Sequence, residues 1–201
     1  MIFRKRQNEE RYIVAGLGNP GKKYHYTRHN VGFLALDYIA ERAGVRVSRS
    51  RFSALVGEGR IGGVAVTLMK PLTFMNLSGQ AVAAAARYYG TAPAHIVVIC
   101  DDATLPPGDI RIRDHGSSGG QKGLQSVEDM LESSEYIRIR IGIGRCAGQE
   151  LSDYVLSMPA SADREAITGR FPDVADALDM VINGNISEAQ SHFNGAGTKQ
   201  A

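Results

Sequence analysis

Residues 16 to 30 read Gly-Leu-Gly-Asn-Pro-Gly-Lys-Lys-Tyr-His-Tyr-Thr-Arg-His-Asn, directly after the apolar run Tyr12-Ile13-Val14-Ala15. A strand that runs into three spaced glycines fits the Gly-x-Gly-x-x-Gly turn of a dinucleotide-binding unit. That turn works only if a helix opens at once, because the N–H groups of its first turn hold the pyrophosphate. Here Pro20-Gly21 is a turn dipeptide, and Lys22 to Arg28 carry no apolar recurrence at helical spacing. A 3.6-residue period begins only at Val31, Leu34, Ala35, Tyr38 and Ile39. The acidic residue required about 20 positions on would be Asp37, inside that helix. The stretch therefore argues against a nicotinamide or flavin site.

What it does define is a strand, a tight turn carrying Asn19, and a polar loop that brings His29 to the start of a helix. Two readings stand side by side. Asn favours turns and caps, so Asn19 can simply shape the turn and His29 simply cap the helix. Alternatively, the positive end of the helix dipole favours the uncharged imidazole, which can accept a proton. That makes His29 a candidate general base.

The rest of the chain alternates helix and strand. A first strand is expected over 11–17 and a helix from Val31 to Ala43, ended near Gly44. Ser53 to Glu58 and Val64 to Met69 alternate around Gly62-Gly63, a hairpin signal. Residues 77–89 are Ala-rich and helical, with Gly90 as the stop. Ile96 to Cys100 is a continuous apolar run, as in a strand buried on both faces. A short strand over Asp109 to Arg113, a Gly/Ser loop from Asp114 to Gly123, a helix at 124–132 and a strand from Tyr136 to Gly144 follow. Residues 161–193 are helical by pattern. This order implies a single-domain, three-layer α/β/α fold with a mixed, mostly parallel central sheet. Residues 1–10 read as a mobile arm and 195–201 as a frayed tail, leaving one domain over 11–194.

The 201 residues are 43% hydrophobic and 22% charged, enough for one sizeable core, and the net charge of +2 neither demands nor excludes a nucleic-acid partner. No apolar run reaches membrane-spanning length. Two cysteines without paired spacing, Cys100 and Cys146, argue for a reducing compartment and against a zinc site. A cytoplasmic location is the expectation, with no metal or cofactor.

Polar residues gather where strands should end: Asn19, Asp101-Asp102, Thr73-Phe74-Met75-Asn76, and Ser117 to Lys122. Ligands of open α/β sheets bind at those ends. An Asp there can fix the tautomer of His29 and stabilise its imidazolium. Turn chemistry before Pro106-Pro107 is the bland reading of Asp101, and helix capping that of Asn76. Gly-x-Ser-x-Gly is absent, so an activated water suits the inventory better than an acyl-enzyme.

Five spaced motifs now carry a resemblance. They are Gly16-Leu17-Gly18-Asn19-Pro20-Gly21 with Tyr24 and Thr27-Arg28-His29-Asn30, then Phe74-Met75-Asn76-Leu77-Ser78-Gly79, Leu105-Pro106-Pro107-Gly108, and Arg138-Ile139-Arg140-Ile141-Gly142-Ile143-Gly144. Together, from about residue 11 to 160, they resemble bacterial-type peptidyl-tRNA hydrolase. The resemblance implies a monomeric, metal-independent esterase with no obligatory protein partner. It would cleave the bond between a peptide and the 3′-terminal ribose of tRNA during ribosome rescue. It further implies that His29 activates water, Asp101 orients His29, and Asn19 and Asn76 hold substrate and water. Tyr24, Phe74, Met75 and Gly119 would line the substrate cleft. Arg113 and Arg140 would hold the tRNA acceptor stem and 3′ end. On the residues alone, Arg111, Arg113, Arg138 and Arg140 read as the solvated face of two strands.

Two departures stand out. Between Gly120 and Gly123 the chain has Gln121-Lys122 where the family typically has His-Asn, and Asp102-Ala103-Thr104 replaces a more usual Glu-Leu-Asp. Lys122 cannot accept a hydrogen bond as an amide can, so it is assigned to substrate binding and not to catalysis. The alternative within the same scaffold is a catalytically idle RNA-binding relative, like the chloroplast intron-splicing factors that resemble this family.

Overall fold

A computed structural model describes residues 10–145 and 148–195. In chain order the elements are β1 (Arg11–Gly16), α1 (Val31–Arg42), β2 (Arg49–Arg51), β3 (Ala54–Ile61), β4 (Val64–Pro71), α2 (Ser78–Tyr89), β5 (Ile96–Asp102), β6 (Ile110–Arg113), α3 (Lys122–Leu131), β7 (Ile137–Gly142), α4 (Leu151–Val155), α5 (Ser161–Thr168), α6 (Phe171–Ile182) and α7 (Ile186–Phe193). The strands form one seven-stranded sheet in the order β2-β3-β4-β1-β5-β7-β6. Its centre, β4-β1-β5-β7, is parallel, while β2, β3 and β6 pair antiparallel at the two edges. At the middle of the sheet β5 runs Ile96-Val97-Val98-Ile99-Cys100 without a polar residue before Asp101, as a strand covered on both faces does.

Each face of the sheet carries its own core, which makes the fold three-layered. Val14, Val66, Leu68, Val97 and Ile99 pack beneath α1, α6 and α7. Ile13, Ala15, Met69, Ile96, Val98 and Cys100 pack beneath α2 and α3. Adjacent residues of β1 and β5 thus point to opposite cores, following the two-residue period of a strand. Burial raises the Cys100 thiol above its ordinary range, as expected for a core residue that shuns the thiolate form. Cys146 and the tail at 196–201 lie outside the described residues, as does the N-terminal arm apart from Glu10. The Glu10 carboxylate meets His95 at 3.0 Å.

The β3–β4 hairpin turns on Gly62 and Gly63, whose φ angles of 54° and 85° are the positive pair that a two-residue turn demands. Gly90 ends α2 in the left-handed conformation. The free edge of β6 is covered by the C-terminal segment: Asn194 Oδ1 accepts from Ile112 N at 2.6 Å. No described helix is long and apolar enough to cross a membrane.

The glycines of the opening motif act through size. A Cβ on Gly16 would lie 2.3 Å from the Gly32 carbonyl, and one on Gly32 would lie 2.3 Å from the Ile99 carbonyl. The start of α1 is therefore pressed onto the ends of β1 and β5. Two short 3-10 turns, Lys22–Tyr24 and Arg28–Asn30, intervene before α1 begins at Val31. Only a three-residue 3-10 turn, capped by Gly21, opens at the glycines, and the α-helix starts ten residues later at Val31. This close approach is what delivers the turn bearing His29 to the end of β5.

Candidate active site

The carboxyl ends of β1, β4, β5 and β7 surround a cavity of about 650 Å³, lined among others by Asn19, Tyr24, His29, Phe74, Met75, Asn76 and Asp101. Gly119, Gln121, Lys122 and Arg140 continue the lining. At its floor His29 Nδ1 lies 2.9 Å from Asp101 Oδ2. Asp101 is 2% exposed, at the penultimate position of β5. An ionised carboxylate can only accept, so Nδ1 carries the proton and Nε2 is left as the acceptor.

Asn19 is equally well fixed. Its backbone N–H donates to Asn30 Oδ1 and its carbonyl accepts from Asn30 Nδ2, both at 2.9 Å. Its side-chain oxygen accepts from the Met75 N–H at 2.8 Å. With that oxygen committed, the Asn19 amide has N–H groups to offer the cavity.

A family model for peptidyl-tRNA hydrolase matches residues 13–201. The chain belongs to this family. The peptidyl-tRNA hydrolase of Moorella thermoacetica is 46% identical over 184 residues, covering 90% of this chain and 97% of that protein. That of Finegoldia magna is 40% identical over 184 residues, with 92% and 97% covered. In structure, the peptidyl-tRNA hydrolase of Acinetobacter baumannii superposes with a TM-score of 0.88 at 31% identity, covering 93% of this chain and 96% of that one.

Of the residues singled out in the sequence, the fold brings all but Arg113 to the cavity. Arg113 sits exposed on the edge strand β6 and donates to its own Ile112 carbonyl at 2.8 Å. Asn76 does not cap α2. The capping position is Leu77, no side chain caps it, and Asn76 is exposed at the cavity rim. Nor does Asp101 serve the following turn. Asp102 does so, accepting from Thr104 N at 2.8 Å and Thr104 Oγ1 at 2.7 Å.

The solvated-face reading of the strand arginines fails for Arg138 and Arg140. The loop after β6 and helix α3 fold over that face. Arg138 is 1% exposed, pairs with Glu128 at 3.0 Å, and donates to the carbonyls of Ser134, Tyr136 and Gly116. Arg140 Nε lies 3.0 Å from Asp102 Oδ2, a charge contact without hydrogen-bond alignment, and Nη2 reaches the Ser118 carbonyl at 3.4 Å. A Cβ on Gly119 would stand 3.0 Å from the Arg140 guanidinium, and the backbone there, at φ 58°, is in the left-handed region that favours glycine.

Three groups important to the site escaped sequence reasoning. Asn30 secures Asn19. Gln121 bonds Asp101. Helix α4 supplies Leu151 and Val155 to the cavity wall, and its C-cap Leu156 joins them. Leu151, Leu156 and Phe74 are 49%, 41% and 56% exposed, giving the cleft an apolar lining above a polar floor.

Proposed function

We propose that this chain hydrolyses the ester between a peptide and the 3′-terminal ribose of tRNA, with His29 activating the attacking water. The observation that carries the proposal is the His29–Asp101 pair, 2.9 Å apart at the floor of the cavity. His29 Nε2 takes a proton from water as the water oxygen bonds to the ester carbonyl carbon. The imidazolium so formed is held by the Asp101 carboxylate. The acyl carbon–oxygen bond then breaks, and the proton passes to the departing ribose oxygen. The N–H groups of Asn19 meet the charge that develops on the carbonyl oxygen. Asn76, at the rim, holds the peptide backbone.

Direct attack by water fits the neighbourhood. Cys100, next to Asp101 in sequence, points into the core, and burial raises its thiol above the ordinary range. Tyr24, Phe74, Met75 and the apolar side of α4 give the peptide or the terminal base a surface of low specificity. Lys122 is exposed at the start of α3, and with Gly119 it lines the cavity on the substrate side. Arg113 and Arg140 supply positive charge for the acceptor stem. Phosphate contacts of this kind give affinity without reading bases, which suits an enzyme that must accept many tRNAs. The proposed enzyme acts as a monomer in the cytoplasm, beside translation.

Peptide release from an N-acetyl-aminoacyl-tRNA tests the proposal. His29→Ala is expected to lower kcat by ~10²–10⁴, the usual contribution of a general base, while tRNA binding persists. If the unmodified chain binds the tRNA and releases no peptide, the idle RNA-binding reading replaces this one.

A further inference from the structure

Asp101 has two oxygens, and His29 uses one of them. The other, Oδ1, accepts from Gln121 Nε2 at 2.9 Å. Gln121 is itself buried and stands at the N-cap of α3, where its Oε1 accepts from Leu124 N at 2.8 Å. The two contacts settle which way round the amide lies. A backbone N–H can only donate, so the atom facing Leu124 must be the oxygen and the NH₂ must face Asp101. One side chain thereby joins the first turn of α3 to the His29–Asp101 pair.

Gln is not among the residues that favour helix N-caps, so capping alone does not account for its presence. Its length does. A shorter capping side chain such as Ser or Thr can reach the Leu124 N–H but not Asp101 as well. The geometry points to Gln121 as a positioning residue for the hydrolytic step: it holds the Asp101 carboxylate in the rotamer that orients His29. It also draws off part of the negative charge that would otherwise fall on the ring. Gln121 touches neither water nor ester in this role. The inference rests on the reading of His29 as the general base.

Two consequences separate positioning from mere capping. In Gln121→Ser the cap survives and the bond to Asp101 is lost. Asp101 then turns its full charge on His29, so the imidazolium is favoured and the acid limb of the pH–rate profile moves to higher pH. Loss of a hydrogen bond to a charged group predicts a fall in kcat of about tenfold. In Gln121→Glu the reach and the capping oxygen survive, but a carboxylate faces a carboxylate. Such a pair retains a proton that an isolated acid would release. While that proton is held, the side chain still donates to Asp101, so activity rises with pH as His29 loses its proton and falls again once the shared proton leaves.

The experiment is a set of pH–kcat profiles for peptide release from N-acetyl-aminoacyl-tRNA, with melting temperatures measured on the same samples. The enzymes compared are wild type, Gln121→Ser, Gln121→Glu and His29→Ala. The expected result is a near-native melting temperature for Gln121→Ser with a displaced acid limb, and a bell-shaped profile with an added falling limb at higher pH for Gln121→Glu. If His29→Ala abolishes cleavage while both Gln121 variants keep the wild-type kcat and profile, the positioning role is overturned and the general-base reading stands. If Gln121→Ser is too unstable to assay, Gln121→Glu decides, and a profile parallel to wild type overturns the role. If His29→Ala retains full activity, both readings fall together.

Discussion

Asp101→Asn removes no atom from the site, yet the surrounding hydrogen bonds dictate a severe loss. Gln121 cannot turn its amide over, because its oxygen is held by the Leu124 N–H at 2.8 Å. An asparagine at position 101 must therefore give its oxygen to Gln121 Nε2 and its NH₂ to His29 Nδ1. The ring then has to accept at Nδ1 and carry its proton on Nε2, the nitrogen that has to be bare to activate water. Such a tautomer inversion in a Ser-His-Asp triad costs ~10⁴ in kcat. Here a loss of ~10³–10⁴ is expected, equivalent to about 4–5.5 kcal/mol in the barrier. Asp101→Ala imposes no tautomer and should be less damaging than Asp101→Asn, although it deletes more. Single-turnover release of peptide from N-acetyl-aminoacyl-tRNA measures the rates, and ¹⁵N chemical shifts of the His29 ring report the tautomer. The reasoning is refuted if Asp101→Asn stays within tenfold of wild type, or if Asp101→Ala proves the worse of the two.

Two further outcomes concern stability. Arg138→Ala strands the Glu128 carboxylate and the carbonyls of Gly116, Ser134 and Tyr136, so a loss of about 3–5 kcal/mol is expected, read from urea denaturation midpoints. At Glu58 the hydrogen bond from Tyr89, followed by the charges of Arg49 and Arg11, holds the carboxyl below its ordinary value of 4.5, against an opposing effect of burial. A lowered folded-state value means stability that is present at neutral pH and lost as pH falls through that lowered value. Glu58→Gln should thus destabilise by up to about 1 kcal/mol at pH 7, a surface-pair magnitude. The difference from wild type should close in acid, which denaturation at pH 7 and at pH 3 would show.

Much of the architecture could be read from local chemistry. The hairpin at Gly62-Gly63, the stop at Gly90 and the delayed start of α1 each depend on a few adjacent residues, and each lies where the pattern puts it. Strand β2 did not announce itself. It returns to β3 through Phe52 and Ser53, both at positive φ (55° and 54°), a turn that normally advertises itself with Gly or Asn. Helix α4 is five residues long, too short to show a period, though it walls one side of the cavity. The arginines of β6 and β7 alternate as a solvated face would. Only the fold reveals that the loop after β6 and α3 cover those of β7.

The same distinction runs through the site. His29 and Asp101 were legible because each stands at the end of an element, where an α/β sheet places its ligands. Asn30 and Gln121 act through a neighbour: one holds the backbone of Asn19, the other the far oxygen of Asp101. Nothing in the local pattern distinguishes such a residue from an ordinary turn or loop amide. Position 121 shows the consequence. In the sequence Gln121 stands out only as a departure from the family pattern. Placed in three dimensions, it satisfies a buried carboxylate and a helix N-terminus at once, two demands that a residue of nearly any other length or polarity would leave unmet.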